Sequence, residues 1–199
     1  MTAHSTRLPA RLPGRLLCGA VLVLLLSSGS ARADLSLFGA YFDNVARAAS
    51  HNDAAQVRRL VGSGENPNQV DEDGRTGLQL AAVNGHLQIA AILIKAGAHL
   101  DTKDRLGNTA LHYATDRNHV EMAQLLLDVG ATVDAENKNG MTPLMIAASR
   151  GNILIVQALL AKGANPRLSD FTGRDALGWA ADSRRPAVVQ TLQRAQDKR

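Results

Sequence analysis

Histidines are the first residues to weigh for chemistry. Five lie between residues 34 and 199: His51, His86, His99, His112 and His119. Two histidines four residues apart on one helix face could hold a metal ion, but no pair here has that spacing. The one thiol, Cys18, sits in an N-terminal apolar run, so the chain can form neither an internal disulfide nor a Cys-based zinc site. Ser50 and Ser149 lack the Gly-x-Ser-x-Gly setting of a nucleophile elbow. Gly62-Ser63-Gly64 is followed by Glu65 and Asn66-Pro67, without the lysine or the helix start that a phosphate loop needs. Asp71 and Asp73 make a carboxylate pair in sequence, but at a turn tip solvated charge is the ordinary role of an acid. The expectation is a chain with no catalytic residues, no metal and no cofactor.

The elements that would position any site are written in composition and spacing. Of 199 residues, 45% are hydrophobic and 20% charged, which excludes a disordered polymer and a polytopic membrane protein. Aromatics are only 3%, so the core must rest on alanine and leucine. The formal charge of +4 is local. Four of the 22 basic residues (Arg7, Arg11, Arg15 and Arg32) fall in residues 1–33, which hold no acid, and removing them leaves as many cations as the 18 acids. The broad basic field of a nucleic-acid binder is therefore missing.

Those first residues have the parts of a secretory signal. Arg7, Arg11 and Arg15 precede an apolar run from Leu16 to Leu26, and Ala31-Arg32-Ala33 offers an A-x-A cleavage site. A helix of that run spans about 16 Å, against a hydrocarbon core of about 30 Å. Arg15-Leu16-Leu17 is a poor context for lipid attachment at Cys18, and no twin-arginine pair is present. The expectation is cleavage after Ala33 and a cysteine-free product in the bacterial periplasm, with secretion beyond the cell as the alternative. No membrane association is expected after cleavage.

Self-comparison reveals the architecture. Gly74, Gly107, Gly140 and Gly173 recur every 33 residues, and Gly64, Gly97, Gly130 and Gly163 keep the same period. So do Leu78, Leu111, Leu144 and Leu177, and Ala81, Ala114, Ala147 and Ala180. Within one period, Asp104 to Gly107 supplies a turn and Thr109 a helix N-cap. Leu111, Ala114 and Thr115 share a helix face, and Asn118-His119 interrupts. Val120, Ala123, Leu126 and Leu127 form the apolar stripe of a second helix. Gly130 falls where a left-handed C-cap residue is needed. One such helix pair cannot bury its apolar face alone, so the units must stack.

The segments 74–101 (GRTGLQLAAVNGHLQIAAILIKAGAHLD), 107–134 (GNTALHYATDRNHVEMAQLLLDVGATVD) and 140–166 (GMTPLMIAASRGNILIVQALLAKGANP) carry a further inference. Their pattern resembles that of the ankyrin repeat family, G-x-T-P-L-H-x-A-A-x-x-G-H followed by L-L-x-x-G-A. The resemblance implies an all-α solenoid of five stacked units, approximately 38–70, 71–103, 104–136, 137–169 and 170–199. It also implies a structural hydrogen bond at His112. The end units depart from the pattern as caps: Tyr41 replaces the turn glycine of the first. In the last, Asp175 replaces the N-cap threonine, Arg184-Arg185-Pro186 replaces the Gly-His turn, and Gln193, Arg194, Asp197, Lys198 and Arg199 end the apolar stripe. Trp179 falls where the first helix of a repeat packs into the core, so in the last unit a core or cap role is expected.

The resemblance further implies a non-catalytic monomer that binds a protein partner through its turn tips and a concave first-helix face. By repeat phase, the candidate contacts are Arg75, Asn84, Arg105, Leu106, Asn108, Arg117, Met141, Arg150, Phe171 and Arg174. Glu72, Asp73, Lys138, Asp116, Ser149 and Asp182 lie in the same rows. Leu106, Met141 and Phe171 stand out as apolar residues expected at exposed turn tips, and arginine is enriched at interface hot spots. A periplasmic carrier of a small ligand or metal, or an enzyme with an unrecognised site, are the alternative functions. The export signal makes the first checkable prediction: mass spectrometry of the exported product finds Asp34 at its N-terminus, whereas residues 1–33 retained in a membrane fraction would refute it.

Overall fold

A computed structural model describes residues 44–197. The expected signal at 1–33, Tyr41, Lys198 and Arg199 lie outside the described residues. Among the described residues, ten helices fall into five pairs: α1 (Val45–Ser50) with α2 (Ala54–Gly62), α3 (Gly77–Asn84) with α4 (Leu87–Lys95), α5 (Ala110–Asp116) with α6 (Val120–Asp128), α7 (Pro143–Arg150) with α8 (Ile153–Ala161), and α9 (Ala176–Asp182) with α10 (Pro186–Asp197). The first helix of each pair packs on the first helix of the next pair, and second helices pack likewise on second helices. This is an all-helical repeat solenoid. Its loops form turns, two of them closed by antiparallel bridges, Val70 to Thr76 and Ser169 to Asp175.

The helix starts follow local chemistry. The side chains of Asn44, Asp53, Thr76, Thr142 and Asp175 each accept the backbone N–H three residues on, which satisfies a donor the helix leaves orphaned. Pro143 and Pro186 open α7 and α10, where a missing N–H costs nothing. After each first helix the chain turns through a left-handed residue: Gly85 (φ 72°) and Gly151 (φ 80°), and at the same phase Asn52, Asn118 and Arg184 (φ 59°, 58° and 54°). Glycine is required in at least one of these turns. A Cβ on Gly85 would come 2.8 Å from the ring of His119, which the next unit lays against it.

The core runs the length of the stack. Leu78, Leu111 and Leu144 are fully buried, as are Ala81, Ala114, Ala147 and Ala180. Leu177, the last rung of the leucine ladder, is only half-buried, in the last of the described units. Alanine at the shared helix face lets neighbouring helices approach closely. Position 115 departs from this rule. Thr115 is buried where Ala49, Ala82 and Ala148 occupy the other units, and its hydroxyl has no hydrogen-bond partner.

Trp179 takes a cap role, packed against the end of the core. It is half-buried rather than enclosed, and its indole N–H donates to Asp170 Oδ2 at 2.9 Å. The indole thus covers the end of the core while its N–H braces its own turn.

Two substitutions test this packing. Leu144→Ala leaves a cavity between three helices and is expected to cost about 2–5 kcal/mol in a denaturant melt. Thr115→Ala runs the other way. It removes an unpaired buried hydroxyl, worth about 1–3 kcal/mol, at the loss of one methyl, about 0.8 kcal/mol. The melt should therefore show a net gain of about 1 kcal/mol.

Candidate partner-binding site

The turns that carry the candidate contacts are built by one repeated device. Asp71, Asp104, Asn137 and Asp170, spaced by one period, each use Oδ1 to accept the backbone N–H groups two and four residues on. This side-chain ring mimics a backbone turn and sets the direction of the residues at its tip. Asp71 was expected to be merely solvated charge. It instead caps its turn and binds Arg75, with Nε and Nη2 of Arg75 3.0 and 2.9 Å from Asp71 Oδ2. Burial pulls the Asp71 carboxyl upward, but its bonds to the amide and guanidinium of Arg75 and to the Asp73 amide together hold it below the usual carboxylate value.

Side chains at another shared phase brace these turns. Tyr113 donates to Asp104 Oδ2, and Trp179 makes the equivalent bond to Asp170 two periods later. Burial and the Asp104 carboxylate raise the Tyr113 pKa, so the phenol stays a donor. Arg174 lies over the Trp179 ring, 4.6 Å from its centroid.

Polar groups also cross from unit to unit. Gln79 and His112 hold equivalent positions. Gln79 Oε1 accepts the Thr76 N–H at 2.7 Å, and its amide donates to the carbonyls of Thr102 and Asn108 at 2.9 and 2.6 Å. His112 repeats the pattern one unit on: Nδ1 accepts the Thr109 N–H and Nε2–H donates to Met141 O, both at 3.1 Å. The resemblance implied this hydrogen bond. His86, His119 and Asn152 reach back to the carbonyls of Ala49, Val83 and Thr115 at 3.1, 3.2 and 2.7 Å. Three of the histidines are thus occupied in joining units. No group of three or more metal-ligating side chains occurs among the described residues.

Above this frame lies an open groove of about 540 Å³, lined by Leu106, Asn108, Met141 and Arg150 among the candidate contacts. Tyr113, Asp116, Ile146, Ser149 and Ser183 complete its wall. Leu106 is 63% exposed, while its backbone carbonyl accepts the Lys138 N–H at 3.0 Å. An apolar side chain is held out to solvent on a fixed backbone. Met141 is corrected: it is half-buried and packs against the core, so it forms floor and not tip. It holds the phase of Asn108 and Arg174, two residues past the phase of Leu106, where the chain has already turned inward.

The other candidates are dispersed. Phe171 is 76% exposed and sits over the Gly140 turn, outside the groove lining. Arg105, Arg117 and Asn84 are exposed. Asn84 donates back to Leu80 O at 3.0 Å. Four arginines already face acids: Arg75 with Asp71 and Asp73, Arg117 and Arg150 with Asp116, and Arg174 with Asp182. Tyr113 and Ile146 were missed by the sequence reading. Their signal was a row of large residues, Leu80, Tyr113, Ile146 and Trp179, recurring at the 33-residue period on the first helices.

Comparisons with known proteins agree on one family. The model described as Ankyrin repeats (3 copies) matches residues 45–137 and 129–199. The human Ankyrin repeat domain-containing protein 39 is 39% identical over 54 residues, 27% of this chain and 30% of that relative. The matched stretch thus spans less than a third of the curated relative.

His112 gives the site's frame a pH dependence. It is 1% exposed, and burial pushes its pKa down to about 4, helped by Lys103 and opposed by the Met141 carbonyl and Asp104. The unfolded chain, with an imidazole near 6.5, binds more protons between those values. Stability is therefore expected to fall as pH drops from about 6.5 toward 4, by up to about 3 kcal/mol, and to lose no more to this group below that. His112→Gln, which can reproduce the bonds of Gln79, should remove this loss. Urea midpoints of the two proteins across pH 7 to about 4.5 check it, and parallel curves would refute it.

Proposed function

Because the chain belongs to the ankyrin repeat family, whose repeats generally serve as protein-protein interaction modules, we propose that it is a non-catalytic adaptor that binds a partner protein through the groove over α5 and α7. We further propose that it acts in the periplasm, exported by a signal cleaved after Ala33. The family is generally non-catalytic. The observation that carries the reading is the convergence of Leu106, Asn108, Met141 and Arg150 on one open groove. An exposed leucine on a backbone pinned by a neighbouring turn loses little freedom when it is covered, which is what a hot-spot residue needs. The shallow, open form of the groove suits a peptide segment better than a small molecule enclosed on most sides.

Leu106→Ser is the decisive variant, because Leu106 contributes nothing to the buried core. Tagged chain expressed with its leader is expected to retain a reproducible periplasmic partner, identified by crosslinking and mass spectrometry. Leu106→Ser should reduce capture of that partner at least about tenfold, with the melting temperature unchanged. Undiminished capture by the folded variant would place the interface elsewhere, on the outer second helices or at Phe171.

A further inference from the structure

The groove carries an unbalanced charge at one edge. Asp116 ends α5, where a negative side chain faces the negative end of the helix dipole. Arg150 ends α7 one unit on. Its Nε and Nη2 lie 2.9 and 2.6 Å from the same atom, Asp116 Oδ1. Arg117 Nε stands 3.8 Å from the other oxygen, Oδ2. Two guanidiniums therefore share one carboxylate, and both are largely exposed, at 59% and 60% of their side chains. The side-on edge of Arg150 is spent on Asp116. A guanidinium has five donors in a planar fork, so its end-on edge remains to face a ligand, held in direction by the bond behind it. Arg105 and Lys138 add two exposed cations on the neighbouring turn tips. Leu106, Met141 and Ile146 give the same groove an apolar wall.

Building on the groove reading above, we propose that the occupant is an extended protein segment presenting a glutamate or aspartate next to an aliphatic side chain, with the carboxylate received end-on by Arg150 and the aliphatic group lying against Leu106 and Ile146. Charge complementarity selects the carboxylate, because the cluster is one negative charge short. Asp116 orients Arg150 but also repels the arriving acid. The two partners of one ion pair therefore act on binding with opposite sign. That distinguishes a receiving site from a bridge that only stabilises the fold.

The test uses a positional-scanning array of synthetic octapeptides, probed with the labelled chain, followed by affinity measurements on the best peptide and on its Glu→Gln or Asp→Asn analogue. The array is expected to select an acid adjacent to Leu, Ile, Val or Met. Arg150→Gln should weaken the acidic peptide about tenfold and leave its amide analogue unchanged, and Asp116→Asn, which keeps the acceptor oxygen while removing the charge, should tighten the acidic peptide several-fold. Selection of basic residues, an unaffected Arg150→Gln, or weakening by Asp116→Asn would each overturn the proposal. Peptides bound without preference for an acid, yet lost in Leu106→Ser, would overturn it while leaving the groove as the binding site. Binding insensitive to Leu106→Ser would overturn both.

Discussion

No helix pair in this protein can stand alone. Nine of the ten described helices are six to nine residues long, well below the roughly 12–15 residues at which even alanine-rich helices become marginal in water. Each is helical because its apolar face is covered by the units before and after it. Stacking is thus the constraint on which everything else depends. It demands alanine where first helices meet, leucine where they meet the second layer, and a left-handed residue at each reversal. It also explains the tolerance of Asn52, Asn118 and Arg184 at positive φ: the surrounding contacts fix the turn, and a modest local strain is accepted.

Stacking creates a second demand, because it partly buries the carbonyls at unit boundaries. A buried acceptor without a donor is costly, and the chain answers with side chains from the neighbouring unit. Gln79 and His112 cover one row of carbonyls, and His86, His119 and Asn152 another. A third row joins the outer loops, where Asn68, Asp101 and Asp134 accept the amides of His99, Thr132 and Asn165. Met145 and Gly178 occupy the Gln79 phase in the last two units and cannot donate. The turn tips are also tied directly, with the Lys138 N–H on Leu106 O at 3.0 Å and the Phe171 N–H on Asn139 O at 3.2 Å. The same polar seams fix the spacing of neighbouring turns and so the geometry of the groove.

The groove inherits its chemistry from this arrangement. Turn residues whose backbones are tied across units can point side chains outward without collapsing inward. Leu106 does so beside a floor that Met141 and Ile146 supply from within the stack. The charged residues around it are mostly neutralised in place. Arg75 and Arg174 answer acids of their own units, while Arg150 answers Asp116 across a unit boundary. What remains for a partner is a small apolar surface and a modest cationic excess, in a chain whose charges balance beyond residue 33.

The period of 33 residues determined most of the fold from sequence alone, because a residue's phase in a stacked repeat fixes which neighbour it meets. Leu78, Leu111 and Leu144 were legible as core, Thr109 and Asp175 as caps, and Gly130 as a left-handed residue on that basis. Phase does not give depth or pairing. It could not tell that Met141 turns inward while Leu106 points out, since the two sit in equivalent loops of neighbouring units, two positions apart in phase, and what differs is where the backbone bends. Nor could it tell that Arg150 reaches Asp116, 34 positions away, or that Trp179 and Tyr113 are spent on turn carboxylates. Those outcomes are decided by distances of a few ångströms between side chains, within a unit for Tyr113 and Trp179 and across units for Arg150, which exist only once the chain has folded and stacked.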